Sequence, residues 1–127
     1  MRLSFDQVGE LLDELAEPFP EALFEGLNGG VNLLEDAMPD PDLPGVHILG
    51  EYCDDLLGRY INLYYGSFAA LATRDGWTLE DWRRELRLTL SHELTHHMEN
   101  RGGLHALEDK DEEDIAAWKA EFEKDNG

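Results

Sequence analysis

Basic side chains, cysteine and long apolar runs are all scarce in this chain, and each scarcity excludes something. Ten Lys and Arg stand against 29 Asp and Glu among 127 residues, a formal net charge of −19. Such a surface repels phosphate backbones and anionic lipid, so neither nucleic acid nor a membrane surface is an expected partner. The one cysteine, Cys53, has no second thiol with which to form an internal disulfide. No apolar run approaches the roughly 18 residues of a membrane span. The opening Met1-Arg2-Leu3-Ser4-Phe5-Asp6 lacks the apolar stretch of a signal peptide. A soluble protein in the reducing cytoplasm is the expectation.

What is present argues for a folded globule. Apolar residues make up 42% of the chain and there are three tryptophans, too much for a disordered acidic segment. One domain spanning residues 1–127, large enough to bury a core without disulfides, is expected. Phe5, Val8, Leu11, Leu12 and Leu15 recur at helical spacing behind Ser4, a suitable N-cap, and predict a first helix over 4–16. A short helix over 21–27 stops at Asn28-Gly29-Gly30, and a short strand follows over 31–35. Residues 38–45 carry three prolines and read as a loop. Two antiparallel strands are expected over 46–52 and 59–65, joined by an acidic turn around Cys53-Asp54-Asp55. Gly66 is read as a strand breaker and Ser67 as the cap of a helix reaching about Thr73. Thr78 with Asp81 makes a capping-box variant that opens the longest helix, expected to end near Asn100 before Gly102-Gly103. Leu86, Leu90, Leu94 and Met98 form its apolar stripe, expected to pack on the sheet. A last amphipathic helix over 111–124 presents Ile115, Trp118 and Phe122 on one face.

Chemistry concentrates in one run, His92-Glu93-Leu94-Thr95-His96-His97. On a helix His92 and His96 share a face, about one turn apart, so both imidazoles can reach one metal ion. Glu93 is offset by about 100° and falls beside the water such an ion would hold, where its carboxylate serves as general base. With 5 His and 16 Glu in the chain, an accidental HExxH is expected about 0.02 times. Four of the five histidines lie between His92 and His105.

The stretch from Ile48-Leu49-Gly50-Glu51-Tyr52, through Arg59-Tyr60-Ile61-Asn62-Leu63-Tyr64-Tyr65-Gly66-Ser67-Phe68, to the double-histidine HExxHH ending resembles the bacterial minimal-zincin metallopeptidase family. The resemblance covers roughly residues 31–118. It implies a compact α+β fold, with a small mixed or antiparallel sheet packed on an HExxH helix and flanking helices, a zinc ion (Zn2+) and a peptidase activity. Many members resemble HExxHxxGxxD, in which the aspartate completes the metal site. Here Glu99 and Gly102 occupy the glycine and aspartate positions, and an excursion over 98–110 intervenes. The resemblance then makes Asp111 the candidate third ligand, with Glu108 and His105 as competitors. Glu99 lies about 7 Å along the helix axis from an ion held by His92 and His96, too far for an unbent helix to bring it into contact.

Other residues carry two readings each. His97 points about 100° away from His96, so it either hydrogen-bonds around the site, touches substrate or is simply exposed. One of Tyr60, Tyr64 and Tyr65 could donate to an oxyanion, although aromatic strand residues usually fill a core. His47 has no evident partner. The expected function is zinc-dependent hydrolysis of a peptide or protein substrate, which adds as an extra strand beside residues 59–65. A catalytically silent zinc-binding or protein-interaction module, or a small-molecule amidase, stands as the alternative.

Overall fold

The computed structural model describes residues 1–103 and 109–126. Its architecture is α+β, with helices packed on a three-stranded mixed sheet. Helix α1, Phe5–Ala16, starts at Ser4, whose Oγ accepts from the Gln7 amide while the Gln7 side chain accepts from the Ser4 amide. Its buried residues, Val8, Leu11, Leu12 and Leu15, are four of the five periodic residues of the sequence, and the fifth, Phe5, is half-buried. A 3-10 turn, Glu21–Phe24, replaces the longer second helix that was expected.

Strands β1, Val31–Leu34, β2, Gly50–Asp55, and β3, Gly58–Tyr64, assemble in the order β1-β3-β2. The first pair is parallel and the second antiparallel. Three expectations are corrected here. The strand expected over 46–52 lies further along the chain, because Cys53, Asp54 and Asp55 stay in the ladder opposite Tyr60, Arg59 and Gly58. Their acidity is accommodated by Arg59, 3.5 Å from Asp54, and by the Tyr60 hydroxyl, which donates to Asp55 at 2.7 Å. The turn is instead Leu56-Leu57, closed by Gly58 at a φ of 116°. Residues 46–48 bond back to the proline loop, with the Ile48 amide donating to Met38 and the Val46 carbonyl accepting from Asp40. The second correction is that β3 is the central strand, so the sheet edges are β1 and β2.

The third concerns helix α2, Tyr65–Asp75, which follows β3 without a break. Gly66 lies in its first turn because a Cβ there would sit 2.5 Å from the Ala37 nitrogen, so the glycine permits a close backbone crossing. Ser67 is fully buried and its Oγ accepts from the Met38 amide at 2.8 Å, anchoring the proline loop where a helix cap was expected. Gly76 closes α2 in the left-handed conformation.

Helix α3, Leu79–Asn100, runs through the middle of the core. Thr78 and Asp81 form the anticipated capping box, and Gly102 and Gly103, at φ of 101° and 74°, end the helix with the Gly103 amide on the Met98 carbonyl. Leu86, Leu90 and Leu94 are buried. The side that meets the sheet, however, carries Thr89, Glu93 and His97. Leu94 and Met98 instead face Leu23 and helix α4, Asp109–Asn126, which packs through Ile115, Trp118 and Phe122. Among the described residues no helix is long and apolar enough to cross a membrane.

Candidate metal centre

The HExxH run occupies the last turns of α3. The Nε2 atoms of His92 and His96 stand 3.1 Å apart, with their rings edge to face. Zinc–imidazole bonds of about 2.0–2.1 Å at a tetrahedral angle bring two ligand nitrogens to about 3.3 Å, so the pair converges as an ion requires. Both residues are exposed. An incoming ion would find them accessible.

Glu93 is buried, in contrast to its neighbours. It forms the wall between two open clefts, one lined by Glu51, Tyr52, His96 and Asn100, the other by His47, Gly50, Thr89 and His92. Burial pushes its carboxyl above the usual carboxylate range; the two histidines pull the other way, the negative charge of Glu51 adds to the rise, and the Tyr52 backbone amide opposes it. A carboxyl raised toward neutrality is suited to taking and returning a proton.

β2 supplies the opposite wall. The Tyr64 amide donates to the Leu49 carbonyl, which places Leu49, Glu51 and Cys53 in the positions bonded to β3. The amides of Gly50, Tyr52 and Asp54 therefore point to the free edge, and that edge runs past Glu93. Glu51 and Tyr52 were not singled out as site residues from the sequence. Their signal was the alternation along β2, obscured by the misplaced strand.

His97 is neither exposed nor part of the ion-binding pair. It is fully buried, with Nε2 2.6 Å from the Glu25 carbonyl and Nδ1 2.9 Å from the Tyr52 hydroxyl. Burial pushes its pKa down. The tyrosines raised as oxyanion donors are engaged elsewhere: Tyr60 on Asp55, Tyr64 on Glu51 and Tyr65 on the Leu3 carbonyl. Tyr60 and Tyr64 are pushed up to about 12, the first mainly by its bond to Asp55 and the second mainly by burial. His47 lines the cleft beside His92, and its Nδ1 is buried without a hydrogen-bond partner.

Asp111 lies in the first turn of α4 and is partly buried. α4 docks by its apolar residues on the Leu94 and Met98 side of α3, well around the helix from His92 and His96. Among the described residues, no group of three or more His, Cys, Asp or Glu side chains is arranged to hold a metal ion. His105 and Glu108 lie outside the described residues. Glu99 stands 4.0 Å from Nδ1 of His96, on the ring nitrogen turned away from His92.

No family model matches the chain and no curated protein matches it. A solved structure does match: a conserved hypothetical protein from Thermus thermophilus, 38% identical, with a TM-score of 0.68 over 78% of this chain and 97% of that one. The chain belongs to the family of that protein. The match gives the fold, and the function must be argued from the side chains of the cleft.

Proposed function

We propose that this protein is a zinc-dependent hydrolase of peptide bonds, working in the cytoplasm on extended peptide or protein segments. The observation that carries the reading is the burial of Glu93 directly beside two imidazole nitrogens 3.1 Å apart. A carboxylate in that position is costly to bury, and general-base chemistry gives it a use. His92 and His96 would hold the ion, with a third ligand drawn from the chain beyond Gly103, where Asp111, His105 and Glu108 are the candidates. When bound, zinc supplies Lewis acidity to a carbonyl oxygen and acidifies water at its open position. Glu93 takes the proton of the attacking water and returns it to the leaving nitrogen. The free edge of β2, rather than β3, offers main-chain groups to an extended substrate, giving affinity with little sequence preference.

The test pairs metal analysis with a broad peptide library. One zinc per chain, cleavage that chelation stops and zinc restores, and loss of tight binding and of cleavage in His92→Ala and His96→Ala are expected. Tight zinc binding with no cleavage assigns the chain to the silent-module reading, and hydrolysis confined to small amides assigns it to the amidase reading. A chain that binds no zinc overturns the proposal.

A further inference from the structure

Glu93, His97 and Asn100 follow one another at i, i+4 and i+7 on α3, the spacing of a helix face, and all three meet β2. An all-polar stripe on a helix face that packs against a sheet is unusual, and its bonding is determined. The Glu25 carbonyl can only accept, so Nε2 of His97 carries the proton and donates to it at 2.6 Å. In the Nε2–H tautomer Nδ1 carries a lone pair, and the Tyr52 hydroxyl donates to it at 2.9 Å. The Tyr52 oxygen in turn accepts from Asn100 Nδ2 at 3.0 Å, and the same amide group donates to Asp54 at 2.8 Å.

Tyr52 thus touches two successive turns of α3. Its hydroxyl is fixed by His97, and its backbone amide, directed to the free edge by the strand register, faces Glu93 one turn earlier. The rise between those turns is about 6 Å, a span that one tyrosine covers.

We propose that His97 is a positioning residue: by fixing the Tyr52 hydroxyl it clamps edge strand β2 to α3 and so holds the Tyr52 amide against the Glu93 carboxylate. The catalytic consequence rests on the reading of Glu93 as general base, whereas the clamp itself does not. His97 never contacts substrate or metal in this arrangement. It sets the distance between the two walls of the cleft.

Amide hydrogen exchange on the metal-free chain reads the clamp without any activity. Tyr52→Phe keeps the ring and removes one hydroxyl, and should speed exchange of the residue 52 amide about tenfold while the Glu51 and Cys53 amides, bonded to β3, keep their rates. His97→Leu should do the same, and His97→Gln, which retains one donor and one acceptor, should restore most of the protection. Nitrogen-15 imidazole shifts should show His97 as the Nε2–H tautomer at neutral pH. With a cleaved peptide in hand, Tyr52→Phe should lower kcat about tenfold at unchanged KM and zinc content, the scale of a lost supporting bond around a metal site. An Nδ1–H tautomer, unchanged exchange at residue 52, or uniform acceleration along β2 overturns the clamp. Should the exchange results hold while the wild type cleaves nothing, the hydrolase reading fails and the clamp stands. If the wild type cleaves and Tyr52→Phe keeps its kcat, the catalytic role of the clamp fails and the hydrolase reading stands.

Discussion

The cap that starts α3 is closed by two side chains three residues apart, whereas the ties that end the helix reach partners 45 to 79 residues away. Thr78 and Asp81 satisfy each other's amides wherever the helix lies. At the other end, His97 binds Tyr52 and the Glu25 carbonyl, and the Arg101 guanidinium donates to the Ala22 carbonyl at 2.8 Å and stands 3.3 Å from Glu25. The local end decides where the helix begins. The long-range end decides how the HExxH turns sit against β2, and that is the end where chemistry is proposed. Stability and site geometry should therefore respond to different substitutions.

The largest separation of the two is expected from Trp82→Ala. Trp82 is fully buried near the start of α3, stacks edge to face on Trp77 and donates to the Met1 carbonyl. Removing it should cost about 3–5 kcal/mol of stability. Denaturant melts measure that loss, and zinc affinity of the remaining folded protein should be unchanged. A parallel fall in affinity would mean that the two ends are not independent. His92→Ala is the converse. Structural zinc sites contribute about 10–16 kcal/mol over four ligands, so one lost ligand should weaken zinc binding by about 3 kcal/mol, near a hundredfold. The exposed ring should leave the melting of the zinc-free chain within about 0.5 kcal/mol of wild type.

Glu93→Gln sharpens the comparison at one residue. Activity should fall at least about a hundredfold, about 2.7 kcal/mol in the barrier, with zinc retained. Stability should move the other way. Because burial raises the Glu93 pKa above its ordinary 4.5, the folded chain holds that proton more tightly than the unfolded chain does. The resulting stabilisation is full below the ordinary value and is lost as pH rises through the folded one. Glutamine cannot ionise, so the zinc-free variant should be the more stable at neutral pH, and its advantage should shrink as pH falls through the raised value and be gone below about pH 4.5, as melts at neutral and acid pH will show. A variant less stable than wild type at neutral pH would show that the carboxylate is well satisfied where it lies.

Legibility of the chain follows the same division. Ser4, Thr78, Asp81 and Gly102-Gly103 act on residues beside them, so the start of α1 and both ends of α3 could be read from the sequence. Leu11, Leu12 and Leu15 of α1 and Leu86, Leu90 and Leu94 of α3 repeat at helical spacing, and their burial was equally open. The register of β2 was not, because its acidic residues are accommodated by partners distant in the sequence or across the turn, Arg59, Tyr60 and Asn100. Gly66 and Ser67 suggested a helix start, while their real partners, Ala37 and Met38, come from a loop some 30 residues earlier. His92, Glu93 and His96 stood out by spacing alone. The burial of His97 and the place of Tyr52 beside Glu93 required a third dimension.

The smallest expected effect tests the local end by itself. Thr78→Ala removes the hydroxyl that accepts from the Asp81 amide at 3.2 Å and should cost about 1 kcal/mol. Asp81→Asn should leave the geometry of the cap and change its pH response. The Thr78 amide is the first cause holding the Asp81 carboxyl below its ordinary 3.8, with burial opposing it and the Thr78 hydroxyl and Arg84 adding to the fall. A carboxyl depressed in this way stabilises the fold above its ordinary value, and that contribution is lost as pH falls through the folded one. Acid melts between about pH 5 and pH 2 should therefore be shallower for Asp81→Asn than for wild type. In both variants hydrogen exchange should quicken only in the first turn of α3, and the residue 52 amide should be untouched. Acceleration at residue 52 would show that the cap and the clamp are coupled through the helix, and the division between its two ends would fall.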